Sequence, residues 1–138
     1  MEKDRTPPLS LSARLARGDL MAADCPSRAI LQHMTSRWGV LVLIALEDRT
    51  LRFGEMKRMI GGVSERMLAQ TLQWLEGDGL VIRKAFAVVP PHVEYRLTPL
   101  GVEAAHRVRS LADWIETAMP QMMAAWDARG AEALASAD

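Results

Sequence analysis

Residues Val63 to Ile82 read VSERMLAQTLQWLEGDGLVI, and this stretch holds a helix start, a face and a stop. Ser64 is a strong N-cap, because its hydroxyl accepts from a first-turn amide that has no partner within the helix. Met67, Leu68, Leu72 and Leu75 recur at helical spacing and make one apolar face. Gly77 and Gly79 bracket Asp78 and end the helix, since glycine enters left-handed backbone without steric cost. Leu80, Val81 and Ile82 then begin a strand. Away from the apolar face stand Glu65, Arg66, Ala69, Gln70, Thr71 and Gln73, most of them able to hydrogen-bond. The stretch predicts a helix that buries one side and offers the other to a partner.

The flanking segments give that helix a context. Thr50 to Ile60 reads as a short helix, with Phe53, Met56, Met59 and Ile60 apolar and Arg52, Lys57 and Arg58 outside. Gly61-Gly62 turns the chain into the Ser64 helix, so the pair matches a helix-turn-helix. Downstream, Leu80 to Val88 and His92 to Leu97 carry β-branched and aromatic residues suited to strands. Val89-Pro90-Pro91 joins them as a stiff hairpin tip whose prolines need no ladder partner. A helix-turn-helix followed directly by a hairpin is the winged arrangement.

Upstream, Asp24-Cys25-Pro26 opens a helix, with a capping candidate and a proline where a missing amide costs little. Ala29, Ile30, His33 and Met34 form its expected inward side. Val40 to Glu47 is apolar almost all round, as a helix at a domain's centre is. Before both, Leu9 to Met21 allows a short helix with Leu11, Leu15 and Ala16 on one side. Thr98-Pro99 starts the last helix, and Leu100, Ala104, Val108, Leu111, Ile115 and Met119 continue an apolar stripe along it. Pro120 is expected to kink or break that helix, because its ring removes a donor and crowds the preceding turn. Met122, Met123 and Trp126 carry the stripe further, and an alanine-rich tail from Arg129 to Asp138 is expected to fray. The stripe exceeds what one small core needs, which points to dimerisation.

The chain's 138 residues, 49% hydrophobic and 25% charged, are ordinary for one globular domain. Its net charge is zero, but the charge is unevenly placed. From Arg49 to Arg109 basic residues outnumber acidic ones ten to six, whereas from Ser110 to Asp138 Arg129 alone opposes five acids. A basic middle segment presents a local positive face despite the neutral total. No run is long enough to span a bilayer and no secretory signal is visible, so a cytoplasmic location is expected. A single cysteine rules out a disulfide within the chain. His33, His92 and His106 have no metal-ligand spacing. A glycine-rich phosphate loop, a paired-carboxylate constellation and a nucleophile with its base are all missing, which argues against an enzyme. Trp38 and Trp114 read as core, and Trp74 stands beside the polar face of the Ser64 helix.

Cys25-Pro26, Trp38, Arg52-Phe53-Gly54-Glu55, Ser64 with Met67-Leu68, Leu75-Glu76, Asp78-Gly79-Leu80-Val81 and VPPHVEYRLTPLG (Val89 to Gly101) together resemble the HxlR-type regulators. These are a branch of winged-helix transcription factors related to the MarR group. The resemblance runs from about Asp24 to Ile115. It implies a mainly α (α+β) fold, a winged helix-turn-helix with a two-stranded hairpin wing and with dimerisation helices at both ends. Residues 1–24 would form an arm that supports the dimer, 25–99 the DNA-binding domain, and 100–138 the C-terminal dimerisation helix and tail. It implies a homodimer on a pseudo-palindromic site in double-stranded DNA, blocking or recruiting polymerase there and using no cofactor.

The implied DNA contacts are Arg52, Ser64, Glu65, Arg66, Ala69, Gln70, Thr71, Gln73, Arg83, Lys84 and His92. Gln70 and Gln73 could pair with adenine edges, while Arg83 and Lys84 would touch backbone beside the wing. Thr71, Gln73, Trp74 and His92 stand where such regulators usually carry charge, so ordinary rather than tight affinity is expected. The implied dimer contacts are Leu11, Leu15, Ile30, Val108, Leu111, Ile115, Met119 and Met122. An alternative is the same frame acting as a thiol-based sensor through Cys25, with an oxidant or small molecule as effector; a thiol at a helix start lies beside open amides. Another is a winged-helix protein–protein module without DNA binding.

Overall fold

The computed structural model describes residues 20–136. They form α1 (Pro26–Thr35), α2 (Arg37–Ala45), β1 (Leu51–Arg52), α3 (Phe53–Met59), α4 (Glu65–Gly77), β2 (Val81–Phe86), β3 (His92–Leu97) and α5 (Pro99–Ser136). Among the described residues, five helices and a small antiparallel sheet of order β1-β3-β2 make up the fold. The expected Leu9–Met21 helix, with Leu11 and Leu15, lies outside the described residues apart from its last two positions, which are turn.

At the centre is α2, as its all-round apolarity predicts. Val42, Leu43 and Leu46 are fully buried, with Met56 of α3, Leu68 and Leu75 of α4, and Val81 and Leu97 of the sheet around them. Ser36 caps α2 by accepting from the Gly39 amide at 3.1 Å. Gly39 has no side chain for a packing reason: a Cβ there would collide with the His33 carbonyl oxygen at the end of α1. At the other side of the core, a Cβ on Gly101 would strike the Leu80 carbonyl oxygen, so α5 begins in direct contact with the start of the wing.

Several expectations need correction. Thr50 to Ile60 is not one helix. Leu51 and Arg52 pair with Tyr95 and Glu94 as a third strand, and the helix occupies only Phe53–Met59. The Glu55 carboxylate accepts from the Arg52 amide at 2.9 Å and marks where extended backbone gives way to helix. The wing is therefore the outer part of a three-stranded sheet, and its first strand is shorter than expected, Val81–Phe86. Cys25, not Asp24, is the N-cap of α1. Ala29 and Ile30 face solvent, and Leu31, His33 and Met34 form the partly buried side.

At the C-terminal end, α5 is continuous through Pro120 and the alanine-rich tail is helical to Ser136. Losing one amide donor leaves the bonds on either side to carry the helix across. Val108 is buried in the core of the single chain, so it is not available to a partner. Trp38 packs on the core as expected, but Trp114 is 60% exposed.

Candidate nucleic-acid interface

The turn between α3 and α4 is held by Gly62, whose φ of 86° is costly for any residue with a side chain. Ser64 then caps α4, its Oγ accepting from the Met67 amide at 3.1 Å. At about 100° per residue, Leu68, Leu75, Thr71 and Leu72 fall in one sector, and these four are the buried residues of α4. Arg66, Ala69 and Gln73 are exposed and Gln70 is half-buried, all on the outer side of the helix. Ser64 and Glu65 are exposed at its N-terminus, where open amides favour an anion.

The same geometry overturns two assignments made by residue type. Thr71 is not on the exposed face: it is 1% exposed, and its hydroxyl donates to the Met67 carbonyl at 2.7 Å. That internal bond lets a polar residue occupy an apolar sector. Met67, expected inside, is 38% exposed because it lies at the edge of the buried sector.

Strand alternation sorts the basic residues of the sheet. Arg83 pairs with Tyr95, and these two line one hollow with Ala69, Gln73 and Glu76 of α4. Arg83 thus adjoins the exposed side of α4. Lys84 is opposite Glu94, Arg52 is also opposite Glu94, and His92 is opposite Phe86, all on the other face of the sheet. There Lys84 Nζ lies 5.0 Å from the centre of the Phe86 ring, which meets the His92 ring edge-on at 5.0 Å. His92 Nε2 is 2.7 Å from Glu94 Oε2, so this imidazole is engaged within the wing. The structure does not bring Arg52, Lys84 and His92 together with the α4 face. The tip beyond them, Ala87 to Pro91, is exposed and apolar.

Sequence reasoning missed a cluster at the far end of α4. His33 of α1 stacks on Trp74, with ring centres 4.8 Å apart and planes 10° from parallel. Its Nδ1 is 2.7 Å from Asp78 Oδ2. The i, i+4 spacing of Trp74 and Asp78 is the only signal in the sequence, and it does not name His33. Cys25, at the other end of α1, is 8% exposed, which limits access of an oxidant to its sulfur. Among the described residues no group of His, Cys, Asp and Glu could hold a metal, and no helix is long and apolar enough to cross a membrane.

Comparisons with known proteins bear on the family and the fold. The family model for the HxlR-like helix-turn-helix matches residues 33–123. The HTH-type transcriptional regulator YtfH of Escherichia coli is 57% identical over 123 residues, spanning 89% of this chain and 98% of its own. Among solved structures, the ytfH protein of Salmonella typhimurium superposes with a TM-score of 0.75 at 57% identity, covering 78% of this chain and 96% of that one. A MarR-family protein from Porphyromonas gingivalis gives 0.60 at 39% identity, over 67% and 91% of the two chains.

Proposed function

This chain belongs to the HxlR-like helix-turn-helix family of transcriptional regulators, and from that premise we propose that it acts in the cytoplasm as a homodimer on a pseudo-palindromic DNA site. The observation that carries the reading is the outer side of α4. Arg66, Ala69, Gln70 and Gln73 stand together beside Arg83, on a helix whose other side is locked into the core. In the major groove, Gln70 and Gln73 pair with adenine edges, Arg66 takes a guanine or a phosphate, and Arg83 takes a phosphate at the rim. The start of α4 at Ser64 and Glu65 turns its open amides toward the sugar–phosphate backbone. The wing tip at Ala87 to Pro91 reaches toward the flanking minor groove.

The dimer rests on α5. Its 38 residues extend about 57 Å, yet its buried residues are Gly101, Ala104, Ala105 and Val108, all near its start. Beyond them Leu111, Trp114, Ile115, Met123 and Trp126 are exposed, with Met119 and Met122 half-buried. A second copy would cover this stripe, and exposed Ile30 on α1 would extend the contact.

The test is selection of duplexes from a random library by the purified protein, followed by anisotropy titration and light scattering. Recovery of an inverted repeat bound by two chains supports the proposal. Failure to select any sequence, or a monomer at micromolar concentration, overturns it.

A further inference from the structure

We infer that His33 is a positioning residue for the recognition helix, gripping two α4 residues and setting the rotation at which α4 presents its outer side. The inference rests on the DNA-binding reading above. The ring of His33 lies flat on Trp74 at 4.8 Å, and its Nδ1 meets the Asp78 carboxylate at 2.7 Å. A donor to a carboxylate must carry hydrogen, which places the proton on Nδ1. Asp78 is the C-cap of α4, its amide donating to the Trp74 carbonyl at 2.9 Å. A carboxylate at a helix C-terminus is opposed by the helix dipole, and the imidazole donor offsets that opposition.

Gln70, Trp74 and Asp78 follow one another at intervals of four, so they form a single strip along α4. His33 holds the lower two members, and Gln70 is the next one up. Along the body of α4 the other packing contacts, from Leu68, Leu72 and Leu75, are apolar and non-directional. Such packing loses uniqueness before it loses stability. A stacked and hydrogen-bonded contact fixes both a distance and an angle. Without it, a rotation of about 20° would move a side-chain tip lying roughly 6 Å from the helix axis by about 2 Å, more than a bidentate base contact tolerates.

Two variants separate the halves of the grip. His33→Phe keeps the stack and loses the bond, whereas His33→Asn keeps a donor and loses the ring. Each is expected to bind the selected duplex about tenfold more weakly or worse, to bind an unrelated duplex as wild type does, and to unfold within a few degrees of it. Amide hydrogen exchange should rise in the last turn of α4 and stay unchanged in α2. Wild-type affinity in both variants, or equal losses on selected and unrelated DNA, overturns the inference. If the wild type selects no duplex, the DNA-binding reading fails and exchange alone decides. Unchanged exchange in α4 then overturns the grip, and a rise confined to its last turn supports it.

Discussion

The Thr98 hydroxyl donates to the Gly79 carbonyl at 2.6 Å, tying the start of α5 to the turn that ends α4. The same oxygen accepts from the Gly101 amide at 2.9 Å, so it also caps α5. Gly79 has a φ of 77° there, and the Thr98 amide reaches the Leu80 carbonyl at 3.0 Å. One residue thus joins α4, the wing and the long helix. Thr98→Val should destabilise the fold by about 1–2 kcal/mol, while Thr98→Ser should lose much less, as read from urea unfolding.

Two glycines in α5 should respond in opposite directions. Gly101→Ala forces a Cβ against the Leu80 backbone and should cost about 2 kcal/mol or more. Gly130→Ala meets nothing within 4 Å and should gain up to about 1 kcal/mol through helix propensity. Thermal unfolding at a fixed protein concentration checks both.

On α4, burial rather than polarity should decide which residues matter for DNA. Thr71→Val removes only a hydroxyl bonded inside the helix, so affinity for the selected duplex should stay within about twofold of wild type, a few tenths of a kcal/mol. Gln73→Ala should weaken binding by about 1–3 kcal/mol and relax preference at one base position. Arg66→Ala should either do the same or, if it contacts phosphate, lower the salt slope by about one. Anisotropy titrations at several salt concentrations distinguish these outcomes.

Along α5, charge in the exposed stripe should separate two copies without unfolding either. Leu111→Asp combined with Ile115→Asp places two carboxylates where both side chains are open. Light scattering should report a monomer whose far-ultraviolet circular dichroism is unchanged. Val108→Asp should behave differently, unfolding the protein, because Val108 belongs to the core of the single chain.

Much of this fold is legible in the sequence because its signals are local. Ser64 and Gly79 mark the ends of α4, Thr98-Pro99 marks the start of α5, and the paired prolines mark the wing tip. Leu51–Arg52 was hidden because a two-residue strand has no period, and its partners at Tyr95 and Glu94 are distant in the chain. Residue type alone misplaces Thr71 and Met67, because position around the helix decides their burial. Ranking the positions by angle around Leu68 and Leu75 puts both correctly. Val108 and Leu111 belong to one stripe in sequence, and only the point where α5 leaves the globule divides core from exposed surface. The His33 grip joins residues 45 apart, a separation that no local pattern reports.

The passage of α5 through Pro120 without a break has a mechanical consequence. A helix assigned on both sides of that proline does not fold back there, so two copies joined along it would hold their α4 helices like the jaws of a locked caliper. One extra base pair between half-sites turns the second target by about 34–36° around the duplex. Such an instrument would follow that turn poorly, and tolerance to altered spacing would be narrow.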